Sequence, residues 1–335
     1  SSPSPPSPRR ADSTQRVFVI CRRRVFPATS LTTVRRCTAR SARPRLAAFA
    51  RPWPGAFQIY RAREGGGLAA LALVESPALL GTLTAPLAAG PAAVWDRGGR
   101  LSVEISGGTL SSAAEADVLA GANALCLLAP GGTLEIVQFA RAELTGPRRY
   151  DLTMLLRGLG GTEAAAVRET PAGSRMVVLD RSLVPLPLAL DEIGTAFTHA
   201  LVPAGAPLDS PARVDLDHVA SARGLMPFAP VHLRLSRPPS GDFAFTWIRR
   251  TRIGGDVWRE TEVPLSEERE AYLAELLDEE GEVRLSRETE TPALVVSAGE
   301  VLAAFGSPST HMRLRVRQIS AIAGAGLAGE ATFAL

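Results

Sequence analysis

Three observations predict a mainly β protein. Short apolar runs alternate with period two, glycine or proline separates them, and the last 110 residues of the 335 hold about seven. After the turn Pro52-Trp53-Pro54-Gly55, Ala56–Ala62 (AFQIYRA) reads as a strand, and Leu68–Val74 follows the flexible Gly65-Gly66-Gly67. Leu101–Ile105 (LSVEI) alternates cleanly and ends at Gly107-Gly108. Ala113–Ala122 is predicted as a short helix, because Ser111 and Ser112 offer an N-cap and Glu115 falls in the first turn. Leu134–Phe139 and Tyr150–Leu156 follow as strands joined through Thr145-Gly146-Pro147, and Met176–Leu179 with Leu183–Leu188 reads as another pair.

The C-terminal third carries the strongest local pattern. Val231–Leu235 alternates, the chain turns at Pro238-Pro239-Ser240-Gly241, and Phe243-Ala244-Phe245-Thr246-Trp247 returns, which is a half-buried hairpin. Tyr272–Leu276, Val283–Arg287, Leu294–Val296, Met312–Ile319 and Ala331–Leu335 complete the set. Strands of that number and length make an immunoglobulin-like sandwich the natural solution, with Trp247 inward between the sheets. Gly324-Ala325-Gly326-Leu327-Ala328-Gly329 matches the dinucleotide fingerprint, but a helix, a second strand and an acid about twenty residues on should follow it. Six residues follow Gly329, so these glycines are read as a hairpin turn.

Residues 1–45 differ in kind. They hold eleven Arg against one acid (Asp12), with one short apolar island at Val17–Ile20 and no sustained period. A disordered basic tail, an Arg- and Ser-rich transit peptide, and out-of-frame text from a GC-rich coding sequence all fit. The abrupt start of regular text near Leu46 favours the last.

Composition excludes several chemistries. All 37 basic residues are Arg, so a phosphate-loop Lys, a Schiff-base Lys and a Ser–Lys dyad are ruled out. Cys21, Cys37 and Cys126 form no C-x-x-C pair, so a structural zinc site or disulfide framework is not expected. No H-E-x-x-H, G-x-S-x-G or EF-hand loop occurs. Leu68–Trp95 is too interrupted, and Ala116–Gly131 too short, to span a membrane as a helix. Asp215-Leu216-Asp217-His218 could in principle hold a divalent ion, but a solvated strand edge or helix start is the favoured reading. Arg157 is expected to form a structural ion pair rather than to anchor a ligand. No catalytic, cofactor-binding or metal-ligating residue is therefore expected.

The ordered text "TWIRRTRI-GD-W" followed by "VPL-EEREAYL" closely resembles the C-terminal region of the large tail-tip, or baseplate, protein of gene transfer agents and related siphophages. Leu155–Glu163 (LLRGLGGTE) and the strings before it resemble the same family. The terminal MRLRVRQISAIAGAGLAGEATF resembles the last hairpin of fibronectin type III domains, with Met312 where those domains usually carry a corner Tyr. The resemblance implies three segments: 1–45 disordered or out of frame, 46–220 a β-rich phage-tail-like region, and 225–335 a fibronectin type III-like sandwich. It implies a structural, non-enzymatic component of a particle tail tip, a homo-oligomer (trimer), in contact with other tail or baseplate proteins and with a glycan or receptor of the recipient envelope. No cofactor or direct nucleic-acid contact is expected. Larger family members carry a glycosidase-like TIM barrel upstream of the matching region. Arg249, Arg250, Arg252 and Trp258 are the candidate interface, read as exposed. Two alternatives stay open: a free-standing carbohydrate-binding adhesin, and the remnant of a cell-wall glycoside hydrolase without its catalytic domain.

Overall fold

A computed structural model describes residues 14–21, 44–252, 264–306 and 311–334. The fold is mainly β, 49% strand and 8% helix, as the period-two text predicts. β1 (Thr14–Cys21) pairs antiparallel with β2 (Pro44–Arg51), from Thr14↔Arg51 to Cys21↔Pro44. β1 and the first two residues of β2 fall within the basic segment 1–45.

β3 (Phe57–Arg63) and β4 (Ala69–Val74) form a hairpin across the glycine-rich turn. The chain then leaves this unit to build a six-stranded closed barrel from β5 (Leu80–Leu83), β6 (Trp95–Ile105), β7 (Ala124–Leu128), β8 (Leu134–Gly146), β9 (Arg149–Leu159) and β10 (Arg175–Val178). The strand order is β10-β5-β6-β9-β8-β7, and pairing of β7 with β10 closes the ring. The expected pairing of Met176–Leu179 with Leu183–Leu188 is thus replaced, because closure gives β10 the neighbours β5 and β7. Only Val184–Pro185 (β11) of the second run pairs, and it pairs with β2. β12 (Ala196–Pro203) and β13 (Val214–Val219) then complete the first unit. A three-stranded sheet, β1-β2-β11, packs on a four-stranded sheet, β13-β12-β3-β4, with the barrel inserted between β4 and β11.

The barrel interior is filled by side chains. Leu101, Val103 and Ile105 of β6, Leu125 and Leu127 of β7, Val137 and Phe139 of β8, and Leu152 and Leu155 of β9 form one buried cluster. Helix α1 (Glu115–Leu119) lies outside it, and Gln138 Nε2 donates to the Val118 and Ala122 carbonyls, both at 2.7 Å. The expected serine cap of this helix does not form. The Ser112 hydroxyl instead accepts from the Ala142 N–H at 2.9 Å, so it serves the neighbouring strand. Helix α2 (Glu163–Ala166) follows β9.

The last unit holds β14 (Val231–Ser236), β15 (Phe243–Ile248), β16 (Tyr272–Leu277), β17 (Val283–Thr289), β18 (Ala293–Val296), helix α3 (Ala298–Phe305), β19 (His311–Ser320), the short β20 (Gly324–Ala325) and β21 (Gly329–Ala334). One sheet runs β14-β15-β18 and the other β17-β16-β19-β21. Three strands facing four in this order form a fibronectin type III-like sandwich. Phe245, Trp247, Tyr272, Leu276, Met312, Leu314 and Val316 fill the space between the sheets. Met312, at the position expected for a corner Tyr, is fully buried.

Only Gly324 of the fingerprint-like run turns the chain in the left-handed region, at φ +67°. Gly326 and Gly329 allow close approach of the linker from the preceding unit. A Cβ on Gly329 would lie 2.2 Å from the Pro230 carbonyl oxygen, and one on Gly326 would lie 2.8 Å from Pro227. Leu327 N–H also donates to the Pro227 carbonyl at 3.0 Å. Gly329→Ala should therefore destabilise the sandwich by about 1–3 kcal/mol, as overpacking does, with the loss read in a thermal melt. An unchanged melt would mean that the linker is not clamped.

Candidate functional site

Three polar places in the fold have more than ordinary surface chemistry. The first is the end of the barrel. Strand alternation points Glu135, opposite Leu127 on β7, and Asp96, opposite Leu155 on β9, toward the interior. Arg157 Nε and Nη2 donate to the two carboxylate oxygens of Glu135, each at 2.9 Å, and Nη1 donates to the Ala88 carbonyl. The pair is closed to solvent, with side-chain exposures of 0% and 1%. Gly90 roofs this end, since a Cβ there would fall 2.6 Å from Asp96 Oδ2 and 2.8 Å from Arg157 Nη1. With no opening to solvent, this is a structural stopper, the ion pair anticipated for Arg157.

The second is the arginine segment after β15. Arg249 Nε lies 3.9 Å from Glu270 Oε1, and its Nη1 donates to the Pro264 carbonyl at 3.1 Å. Arg250 pairs with Glu163 of α2 at 2.7 Å and lies over the Phe228 ring at 5.0 Å. Arg252 pairs with Glu267 at 2.7 Å, and the two side chains are only 7% and 5% exposed. These three arginines are therefore less exposed than the sequence suggests. Each is half-buried or buried and neutralised by an acid; Arg250 ties the sandwich to the barrel's helix. Trp258 lies outside the described residues.

The third was not singled out by sequence reasoning. On the inner face of β3 and β12, Arg61 and Arg63 line a cleft of about 380 Å³ with Gly66, Gly67, Ala70 and Phe197. Both guanidinium groups reach Glu192, at 3.3 and 3.0 Å. Arg61 is fixed further by donation to the Pro187 carbonyl at 2.8 Å and by its position 4.6 Å above the Phe197 ring. The Ala189 N–H donates to Glu192 and, with both arginines, holds its carboxyl below the usual range against the opposing effect of burial. The arginines are about 130 residues from Glu192 in sequence, and no local motif joins them.

Beside this cleft, His199 lies on the same inner face of β12 with its ring 6.2 Å from that of His218. Burial, then His218 and Arg61, push the His199 imidazole down to about 4, and burial also lowers His218. Asp215 and Asp217 lie on the opposite, exposed face of β13, where Asp215 pairs with Arg213 and Asp217 accepts from Thr198. The Asp-Leu-Asp-His run therefore spreads its donors over both faces of the sheet and forms no chelate. A base with a depressed folded pKa makes the unfolded chain bind more protons between the two values. Stability should thus fall as pH drops from about 6.5 toward 4, by roughly 2–3 kcal/mol for His199. Denaturation across that range should show the fall in the wild type and a flatter profile in His199→Leu; parallel profiles would refute it.

Residues 78–177 match the family model described as Rcc01698-like, C-terminal. That span takes in every strand of the barrel but the final residue of β10. No curated protein matches the sequence. Among solved structures, domains d3–d4 of the rat CD45 extracellular region are 13% identical, covering 42% of this chain and 64% of that one, at a TM-score of 0.24. A cytokine receptor complex is 13% identical, with coverage of 70% and 90% and a TM-score of 0.23. The FN1–FN3 domains of chicken CNTN1 are 11% identical, with coverage of 76% and 66% and a TM-score of 0.23. The chain thus spans less than two thirds of the CD45 and CNTN1 structures. The sandwich is defined by its strand order, β14-β15-β18 facing β17-β16-β19-β21.

Proposed function

We propose that this chain is a structural component of the tail tip of a phage-like, gene-transfer particle, in contact with the recipient cell envelope. The observation that carries the reading is the family match over the barrel, together with the tail-tip-like text that runs through the barrel and into the sandwich. The architecture suits a scaffold. Two β-sandwiches flank a barrel whose interior is packed and stoppered, and the arginines most suggestive of chemistry are engaged in ion pairs. In this reading the chain works as a homotrimer among other baseplate proteins, catalyses no reaction, and meets a glycan or receptor on the envelope.

Electron microscopy of particles labelled with an antibody to residues 225–335 tests the proposal. Label at the distal end of the tail is expected; label elsewhere, or none, refutes it. The free-standing adhesin alternative predicts secreted protein outside any particle, and the hydrolase remnant predicts turnover of a cell-wall glycan, where none is expected.

A further inference from the structure

The cleft between Arg61 and Arg63 is built to hold an anion. Two guanidinium groups share one carboxylate, so it keeps a net charge of +1, and the depressed Glu192 carboxyl stays ionised through the neutral range. The two arginines have different roles. Arg61 is pinned by the Pro187 carbonyl, Glu192 and the Phe197 face, with its side chain 23% exposed, and forms a fixed positive wall. Among the described residues Arg63 donates one hydrogen bond, to Glu192, and its side chain is 61% exposed. Because a guanidinium carries five N–H donors in a planar fork, most of those on Arg63 remain for a ligand oxyanion. Glu64, at the adjacent turn, does not line the cleft.

The floor narrows the class of ligand. Ala62, Gly66, Gly67, Ala69 and Ala70 present backbone and methyl groups, and Leu71 is the one aliphatic side chain of the lining larger than a methyl group. Phe197 is covered by Arg61 and only 3% exposed, so no aromatic face is open for stacking a base. A cationic cleft of about 380 Å³ lined mostly by small residues suits a sugar ring that carries an acid group. We propose that it binds the carboxylate or phosphate of an acidic saccharide, with Arg63 gripping the oxyanion and Arg61 orienting it. The choice of a saccharide rests on the envelope-contact reading above; the anion site itself rests on the geometry.

Calorimetric titration of the full chain with methyl glucuronide, glucose 6-phosphate and neutral methyl glucoside tests the assignment. Saturable binding of at least one acid is expected in the millimolar range, with none of the neutral sugar. The stronger acid distinguishes a uronate source from a phosphorylated one. Arg63→Gln should weaken that binding at least about tenfold, whereas Arg168→Gln, an exposed arginine elsewhere, should leave it unchanged. The site is refuted if neither acid saturates by about 50 mM, or if the two variants behave alike. If acids bind but the antibody label lies away from the tail tip, the tail-tip reading fails and the anion site stands. If the label is at the tip and no acid binds, only the site fails.

Discussion

Replacing Arg157 with Ala should destabilise the barrel by about 3–5 kcal/mol, because it leaves the Glu135 carboxylate buried without its counter-charge. The Gly158 N–H, 3.3 Å from Glu135 Oε1, is the one described hydrogen bond that would remain to that carboxylate. The double variant Arg157→Met/Glu135→Leu removes both charges and should lie within about 1 kcal/mol of the wild type or above it, since a pair already stripped of water gives little net stability over apolar packing. Because the chain has several cores, a whole-molecule melt would blur the effect. Amide exchange at Val137 and Leu155, inside the barrel, reads it locally. If the single variant exchanges like the wild type, water reaches Glu135 and the stopper is not closed.

Trp247→Ala should cost the sandwich a similar 3–5 kcal/mol, as truncation of a buried aromatic does. Trp247 is 3% exposed and packs edge-on against Tyr272 with ring centroids 5.3 Å apart. Its indole Nε1 is buried and has no hydrogen-bond partner among the described residues. Trp247→Phe should therefore cost much less, below about 1.5 kcal/mol, because it removes an unsatisfied donor along with the lost volume. Chemical denaturation of the two variants separates the contributions. Equal losses would mean that the indole N–H has a partner after all.

How far the sequence reveals the fold depends on what each strand faces. Val231–Ser236 and Phe243–Ile248 have one buried and one solvated face, so their alternation is plain to read. Ala124–Leu128 was missed for the opposite reason. Leu125 and Leu127 point into the barrel while Ala124 and Cys126 pack against a second cluster outside it, and a strand buried on both faces does not alternate. Ala196–Pro203, at the centre of its sheet, is hidden in the same way. The polar sites follow a related rule. The arginines after Trp247 drew notice because they are adjacent, but their partners Glu163, Glu267 and Glu270 are brought by the fold. Arg61, Arg63 and Glu192 meet only because β12 pairs with β3 after the whole barrel has intervened.

That intervening barrel has its own ends side by side. β5, where it begins, and β10, where it finishes, are hydrogen-bonded neighbours, with Leu80 opposite Val177. The host unit therefore sees the barrel as a detour that starts and stops about one strand spacing apart, near 5 Å. Such a detour can be added or removed as one block without re-threading the host, which is why domain insertions between close ends are tolerated. A shortened descendant would still carry a mark of the loss. Ala47 and Phe49 of β2, which pack against the barrel's outer wall, would be left facing water, and a replacement by polar residues at those two positions would record the excision.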